Sequence, residues 1–201
     1  MNPLNSIAGT IIAGVVIAVL LVLVTMGNHI VSAVSVVIWL HVLAGITWIG
    51  LLYYFNFVQV PALAAAASDQ GGPGGAGISK YVAPRALLWF RWSAVATWLS
   101  GALFLLHRGQ LDDALTLGLM GDGVNAYAQT IGLGAWLGTI MLFNVWVLIW
   151  PNQKKVLGLV EASPEEIAKG KRVALLASRT NTMLSIPMIM SMVGAGHGFF
   201  M

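Results

Sequence analysis

The sequence predicts an all-α integral membrane protein, a bundle of five transmembrane helices with the N-terminus cytoplasmic and the C-terminus periplasmic. Three observations carry this prediction. Hydrophobic residues make up 58% of the 201 and charged residues only 8%, too few to coat a soluble domain of this length. Several segments stay apolar for the roughly 20 residues needed to cross a hydrocarbon core about 30 Å thick. Finally, nine of the ten Lys and Arg residues fall on one side of the crossings so defined.

The elements follow in order. The first span covers Ile7–Met26. No Lys or Arg precedes it in "MNPLNS", and its apolar run is too long for a signal-peptide core, so it is expected to remain as an uncleaved span. The second span covers Val34–Val60, and the stretch Ala64–Lys80, "AAAASDQGGPGGAGISK", reads as a flexible Gly-rich cytoplasmic loop. The third covers Ala86–His107, followed by the acidic periplasmic stretch "DDALTLGLMGDGVNA". The fourth, Tyr127–Trp150, carries Gly134 and Gly138 as G-x-x-x-G, a signal for close helix packing. Ser163, Pro164 and Glu166 form a capping box that starts a basic amphipathic cytoplasmic helix from about residue 164. The fifth span covers Thr182–Phe200, and the whole chain is read as a single membrane domain.

With these crossings, Lys80, Arg85, Arg91, Lys154, Lys155, Lys169, Lys171, Arg172 and Arg179 share the side of the N-terminus, and Arg108 alone lies opposite. The positive-inside rule makes the basic side cytoplasmic. In a bacterial host this is a multi-pass protein of the inner membrane. The net charge of +3 therefore reports topology and gives no reason to expect a nucleic-acid partner; membrane lipid is the expected surrounding. The absence of cysteine excludes disulfides, thiolate metal sites, iron–sulfur clusters and covalently attached c-type haem. Non-covalent haem or a His/Met metal site stays open. No phosphate loop, nucleophile–base pairing or carboxylate dyad is evident, and the seven acidic residues all fall in loops or at interfaces.

All four histidines fall toward the periplasmic side. His29 follows the first span and reads as an ordinary loop residue. His41 lies seven residues past Val34, about 10 Å deep at the helical rise. Gly45 and Trp48 follow it at i+4 and i+7, leaving room beside the ring for a flat macrocycle or a second helix. His107 and His197 lie near the outward ends of the third and fifth spans. Two imidazoles from different helices can clamp a b-type haem, with His41 as one ligand and His197 or, alternatively, His107 as the other. Arg108 would then pair with a propionate. Imidazoles with thioethers could instead hold copper, since Met188, Met190 and Met192 lie in the last span. With no cofactor, each histidine would serve as an interhelical hydrogen-bonding group or a helix-terminal residue. Toward the cytoplasmic side, Arg91, Asn56, Asn144, Asn181 and Gln153 read either as a buried hydrogen-bond network with a snorkelling arginine or as an anion site.

The blocks "HVLAGITWIGLLYYFNFVQVPAL", "LLWFRWSAVATWLSG", "FNVWVLIWPNQKKVLG" and "SRTNTMLSIPM" together resemble the urate oxidase N-terminal domain family, over about Ile38 to Gly198. That family is the membrane part of bacterial cytochrome-linked urate oxidases and also occurs as short stand-alone proteins. The H-x-x-x-G-x-x-W-x-G element from His41 to Gly50 is also similar to the first helix of copper resistance D proteins and to the haem-binding membrane protoporphyrinogen oxidases. The resemblance implies a membrane b-type haem protein that transfers electrons at the periplasmic side, with His41 as a ligand. Its longer relatives carry a c-type cytochrome domain. These 201 residues hold no cysteine to attach one, so a separate periplasmic cytochrome or other membrane subunits are the expected partners. The alternatives are a non-catalytic accessory subunit of a respiratory or photosynthetic complex, and a membrane redox enzyme acting on urate or a porphyrinogen.

Overall fold

The computed structural model describes residues 2–26, 31–120 and 125–198, and the described residues form helices joined by turns, without a strand. His29 lies outside them. By contacts, the chain divides into two compact units, Met1–Val36 and Val37–Met201.

In the first unit a 3₁₀ turn, Pro3–Asn5, is capped by the Asn2 side chain and leads into α1, Ile7–Met26. The α1 helix is apolar on every face, with mean hydropathy 3.0 over Ile7–Thr25. Its two threonines, Thr10 and Thr25, donate their hydroxyl protons to carbonyls one turn back, Ser6 and Leu21, so neither needs an outside partner.

The second unit contains most of α2 (Ala33–Tyr53), then α3 (Val60–Ser68), α4 (Ala83–His107), α5 (Leu111–Leu115), α6 (Ala126–Phe143), α7 (Trp150–Val156) and α8 (Pro164–His197). Three π-helical segments interrupt this series: Tyr54–Gln59, Ile78–Val82 and Asn144–Ile149. Each runs into a proline two residues past its end, namely Pro61, Pro84 and Pro151. Proline lacks an N–H, and its ring collides with the carbonyl four residues earlier. Widening the preceding turn to i→i+5 bonding moves that carbonyl aside and lets the helix continue.

This accounts for the main difference from the expected boundaries. The expected second and fourth spans end at Val60 and Trp150, each one residue before a proline. The helices instead run on as α3 and α7, giving continuous apolar helices over Ala33–Ser68 and Ala126–Val156. Together with Ile7–Thr25, these are the three helices among the described residues that are long and apolar enough to cross a membrane. The irregular part of the Gly-rich connection shrinks to residues 69–75. Likewise, the expected amphipathic helix and the fifth span are one helix, α8, of 34 residues. At its start the Ser163 hydroxyl accepts from the Glu166 N–H, and the Glu166 carboxylate accepts from the Ser163 N–H.

The core gathers Trp48 and Leu52 of α2, Leu87, Phe90 and Ala94 of α4, Met141 of α6, Val145 and Ile149 of the third π segment, and Met188 of α8. A smaller cluster (Leu105, Ala114, Ile131, Ala195) closes the other end. A Cβ on Gly134 would lie 3.1–3.3 Å from Met192 and Ser191, so that glycine sets how closely α6 approaches α8. Gly138 is also buried, but nothing lies within 4 Å of its Cβ position, so it does not set a close approach.

Polar pins hold α8 against its neighbours. The Asn144 amide donates to Asn181 Oδ1 at 2.8 Å, and Asn181 donates to the Met141 carbonyl at 2.9 Å. Asn56 donates to Ser178 Oγ at 2.8 Å. Ser185 gives its proton to the Thr182 carbonyl, so the Tyr53 hydroxyl, 2.9 Å away, is the donor in their bond. Ser178, Asn181 and Ser185 thus form a polar stripe at i, i+3 and i+7. Asn181→Leu is expected to cost about 1–2 kcal/mol, because it also strands the buried Asn144 amide. The measurement is thermal unfolding in detergent; an unchanged melting temperature refutes the pinning role.

A second prediction concerns the α8 cap. The Ser163 N–H, and then the Lys155 ammonium 3.1 Å away, hold the Glu166 carboxyl below its ordinary pKa. A depressed folded-state pKa contributes stability above the ordinary carboxylate range, and that contribution is lost as pH falls through the folded value. Amide exchange in the first turn of α8, measured relative to its intrinsic rate, should therefore rise on acidification below about pH 4. Glu166→Gln should flatten that response.

Candidate functional site

His41 sits on α2 facing α4. Its Nδ1 lies 2.8 Å from the Thr97 carbonyl and 3.2 Å from Ser100 Oγ. A carbonyl can only accept, so Nδ1 carries the proton and Nε2 presents a lone pair. Ser100 directs its own hydroxyl proton at the carbonyls of Ala96 and Thr97, which leaves its oxygen free to share the Nδ1–H. The seat is fitted by Gly101: a Cβ there would come within 3.0 Å of His41 Cε1. Gly45 faces the same helix, its Cβ position 3.7 Å from the Thr97 methyl. A backbone carbonyl on the distal nitrogen is the arrangement that fixes the tautomer of a metal-ligating imidazole. It is equally an interhelical hydrogen bond.

The other expected site residues are distributed as follows. Trp48 is buried in the main core, its Nε1 without a partner. His197 ends α8, exposed, with Nδ1 2.9 Å from the Val193 carbonyl of its own helix. That bond again leaves Nε2 as the lone-pair nitrogen. His107 and Arg108 close α4 and are both exposed. His107 lies six residues past Gly101, about 9 Å further along the axis. Met188 belongs to the main core, and Met192 packs against both clusters. Among the described residues no group of three or more His, Cys, Asp or Glu side chains comes together as a metal site.

Toward the other end of α4, Arg91 is 8% exposed and lies flat over the Trp150 indole, 3.3 Å from its centroid. Its Nε and Nη1 are buried without partners, and among the described residues the one ion pair is Lys155–Glu166. Burying an arginine costs about 2.5–3.5 kcal/mol on insertion scales. A desolvated cation–π contact returns about 2 kcal/mol, so the indole offsets most of the cost. Trp146, one turn before Trp150, stacks edge-on with Trp92 at 5.5 Å.

Residues 120–201 match the urate oxidase N-terminal family. The match covers α6, α7 and α8, including the Asn144–Asn181 pair, Arg91's partner Trp150, and His197. No curated protein and no solved structure matches the chain. The sequence pointed to His41 and Gly45 but not to their seat. Thr97, Ser100 and Gly101 look like ordinary small residues of a membrane helix, and only their juxtaposition with His41 gives them a role.

That seat makes a testable prediction. An imidazole free in water prefers the proton on Nε2, whereas here Thr97 fixes it on Nδ1. Histidine-selective ¹⁵N NMR in detergent should find the Nδ1–H tautomer for His41. Gly101→Val should push the ring off the carbonyl and return the signal to the ordinary form; an unchanged spectrum refutes the assignment.

Proposed function

We propose that this chain is a multi-pass inner-membrane haem protein, related to the membrane part of urate oxidases, that passes electrons on the periplasmic side. The observation that carries the reading is the His41 seat. The Thr97 carbonyl holds Nδ1–H, so Nε2 is the lone-pair nitrogen, the tautomer a metal ligand needs. The donor set suits a non-covalent b-type haem: neutral imidazoles and no thiolate. His41 would be one of the residues holding the haem iron. His197, fixed in the same tautomer by Val193, is the favoured second ligand and His107 the alternative; Arg108 would balance a propionate. The haem supplies reversible one-electron chemistry, while the protein fixes the ligand's tautomer, limits solvent around it and sets the polarity of its surroundings.

In this reading α4 and α8 also cross the bilayer, giving five spans with the basic face cytoplasmic. Their polar residues, the α8 stripe and Arg91, face other helices, and this lowers their hydropathy without exposing polarity to lipid. The electron acceptor would be a separate periplasmic cytochrome or a partner subunit.

An accessory-subunit role is the second reading. The all-round apolar α1 favours it, since it suits a neighbouring helix. One experiment separates the two. Detergent-purified protein should show a Soret band that shifts on dithionite reduction, with sharp α and β bands. His41→Ala should lose most of the haem, while Arg172→Gln, at an exposed position with no part in the proposed site, should keep it. A colourless preparation from haem-replete cells overturns the haem reading and leaves the scaffold.

A further inference from the structure

Between α2 with its π-helical continuation and the start of α4 runs an open groove of about 670 Å³. Its two walls are helical stripes: Ile46, Gly50 and Tyr54 on one side, Val82, Ala86 and Trp89 on the other, with Thr47 and Leu51 in the floor. The groove is graded along its length. Tyr54, Tyr81 and Arg85 gather at one end, and Ile46 and Trp89 lie toward the other. Eight residues separate Ile46 from Tyr54, so the apolar trough is about 12 Å long. Gly50 has nothing within 4 Å of its Cβ position, which leaves the trough open there.

The polar end is basic. The Arg85 guanidinium donates through Nη1 to the Tyr81 carbonyl at 2.6 Å, which anchors it at the mouth with its other donors directed elsewhere. Lys80 places its ammonium 5.5 Å from the centroid of the Tyr81 ring. No carboxylate lies within ion-pair range of either cation among the described residues. Tyr81 and Trp89 are 58% and 59% exposed, amphipathic rings of the kind that settle at a membrane interface. The volume is within the range of built ligand sites.

We propose that this groove binds one anionic phospholipid, its phosphate held by Arg85 and Lys80 and an acyl chain laid along Gly50, Leu51, Ala86 and Trp89. Charge decides the occupant. A neutral lipid or quinone would fill the trough but leave Arg85 at its mouth, and Lys80 beside it against Tyr81, without a counter-charge, whereas a phosphodiester supplies one. Each basic residue near an anionic headgroup is worth about a fivefold preference over a zwitterionic one.

The test uses the full-length chain in detergent, delipidated and then offered phosphatidylglycerol or phosphatidylcholine, with bound lipid counted by native mass spectrometry. Wild type is expected to retain phosphatidylglycerol at one per chain, several-fold above phosphatidylcholine. Arg85→Gln should cut that preference about fivefold while sparing phosphatidylcholine. Gly50→Leu should reduce retention of both, and Ala86→Phe on the facing wall serves if Gly50→Leu does not fold by circular dichroism. Equal retention of the two lipids, an Arg85→Gln variant indistinguishable from wild type, or a stoichiometric quinone extracted from the native protein each overturns the proposal.

Discussion

Hydrocarbon offers a peptide group nothing to hydrogen-bond with, and that constraint shapes this protein at every level. It requires each backbone N–H and C=O to be satisfied within its own helix. Pro61, Pro84, Pro151 and Pro187 each remove a donor from a long helix; Pro187 is carried within α8 without a change of helix type, and the other three are not. In all three places the chain answers with a π-helical turn just upstream. The wider turn keeps the helix going and also rotates the residues beyond it. It is in the first and third of these turns that Asn56, Gln59 and Asn144 enter the interior.

The same constraint governs the side chains. An interior with few charges tolerates polar groups only in pairs, and α8 supplies most of the partners through Ser178, Asn181 and Ser185. Arg91 is one exception. It finds an aromatic face in place of a carboxylate, which suits a guanidinium better than an ammonium because the planar group stacks and is weakly hydrated. A few groups remain without partners, among them Gln59 Oε1 and the Trp48 and Trp146 indole nitrogens. They lie close to the π-helical segments, where backbone geometry is least regular.

The functional reading and the lipid groove occupy different parts of one helix pair. His41 engages α4 at Thr97–Gly101, and two to three turns further along α2 the same pair opens around Gly50 and Tyr54. Close approach at one level and separation at the other follow from side-chain size. Gly45, Thr97, Ser100 and Gly101 are small, while Tyr54, Tyr81 and Trp89 are large. A tightly held imidazole and an interfacial groove are thus consequences of one crossing. The family match falls on α6 to α8, so it speaks for the other side of the bundle.

By itself the sequence determined the helical class and the membrane setting, because both follow from composition and from runs of apolar residues, which need no knowledge of neighbours. It also determined the start of α8, since a capping box is a local device in which Ser163 and Glu166 satisfy each other. Position in the chain likewise marked His41 as unusual. What only the tertiary structure decided was the fate of the prolines and the partners of the buried groups. The expected spans end just before Pro61 and Pro151, and the helices continue past both through π-helical turns. That His41 would meet the Thr97 carbonyl, or Arg91 the Trp150 ring, depended on how α4 settles against α2 and α7. Contacts between residues some sixty apart in sequence leave no trace in either residue's own neighbourhood.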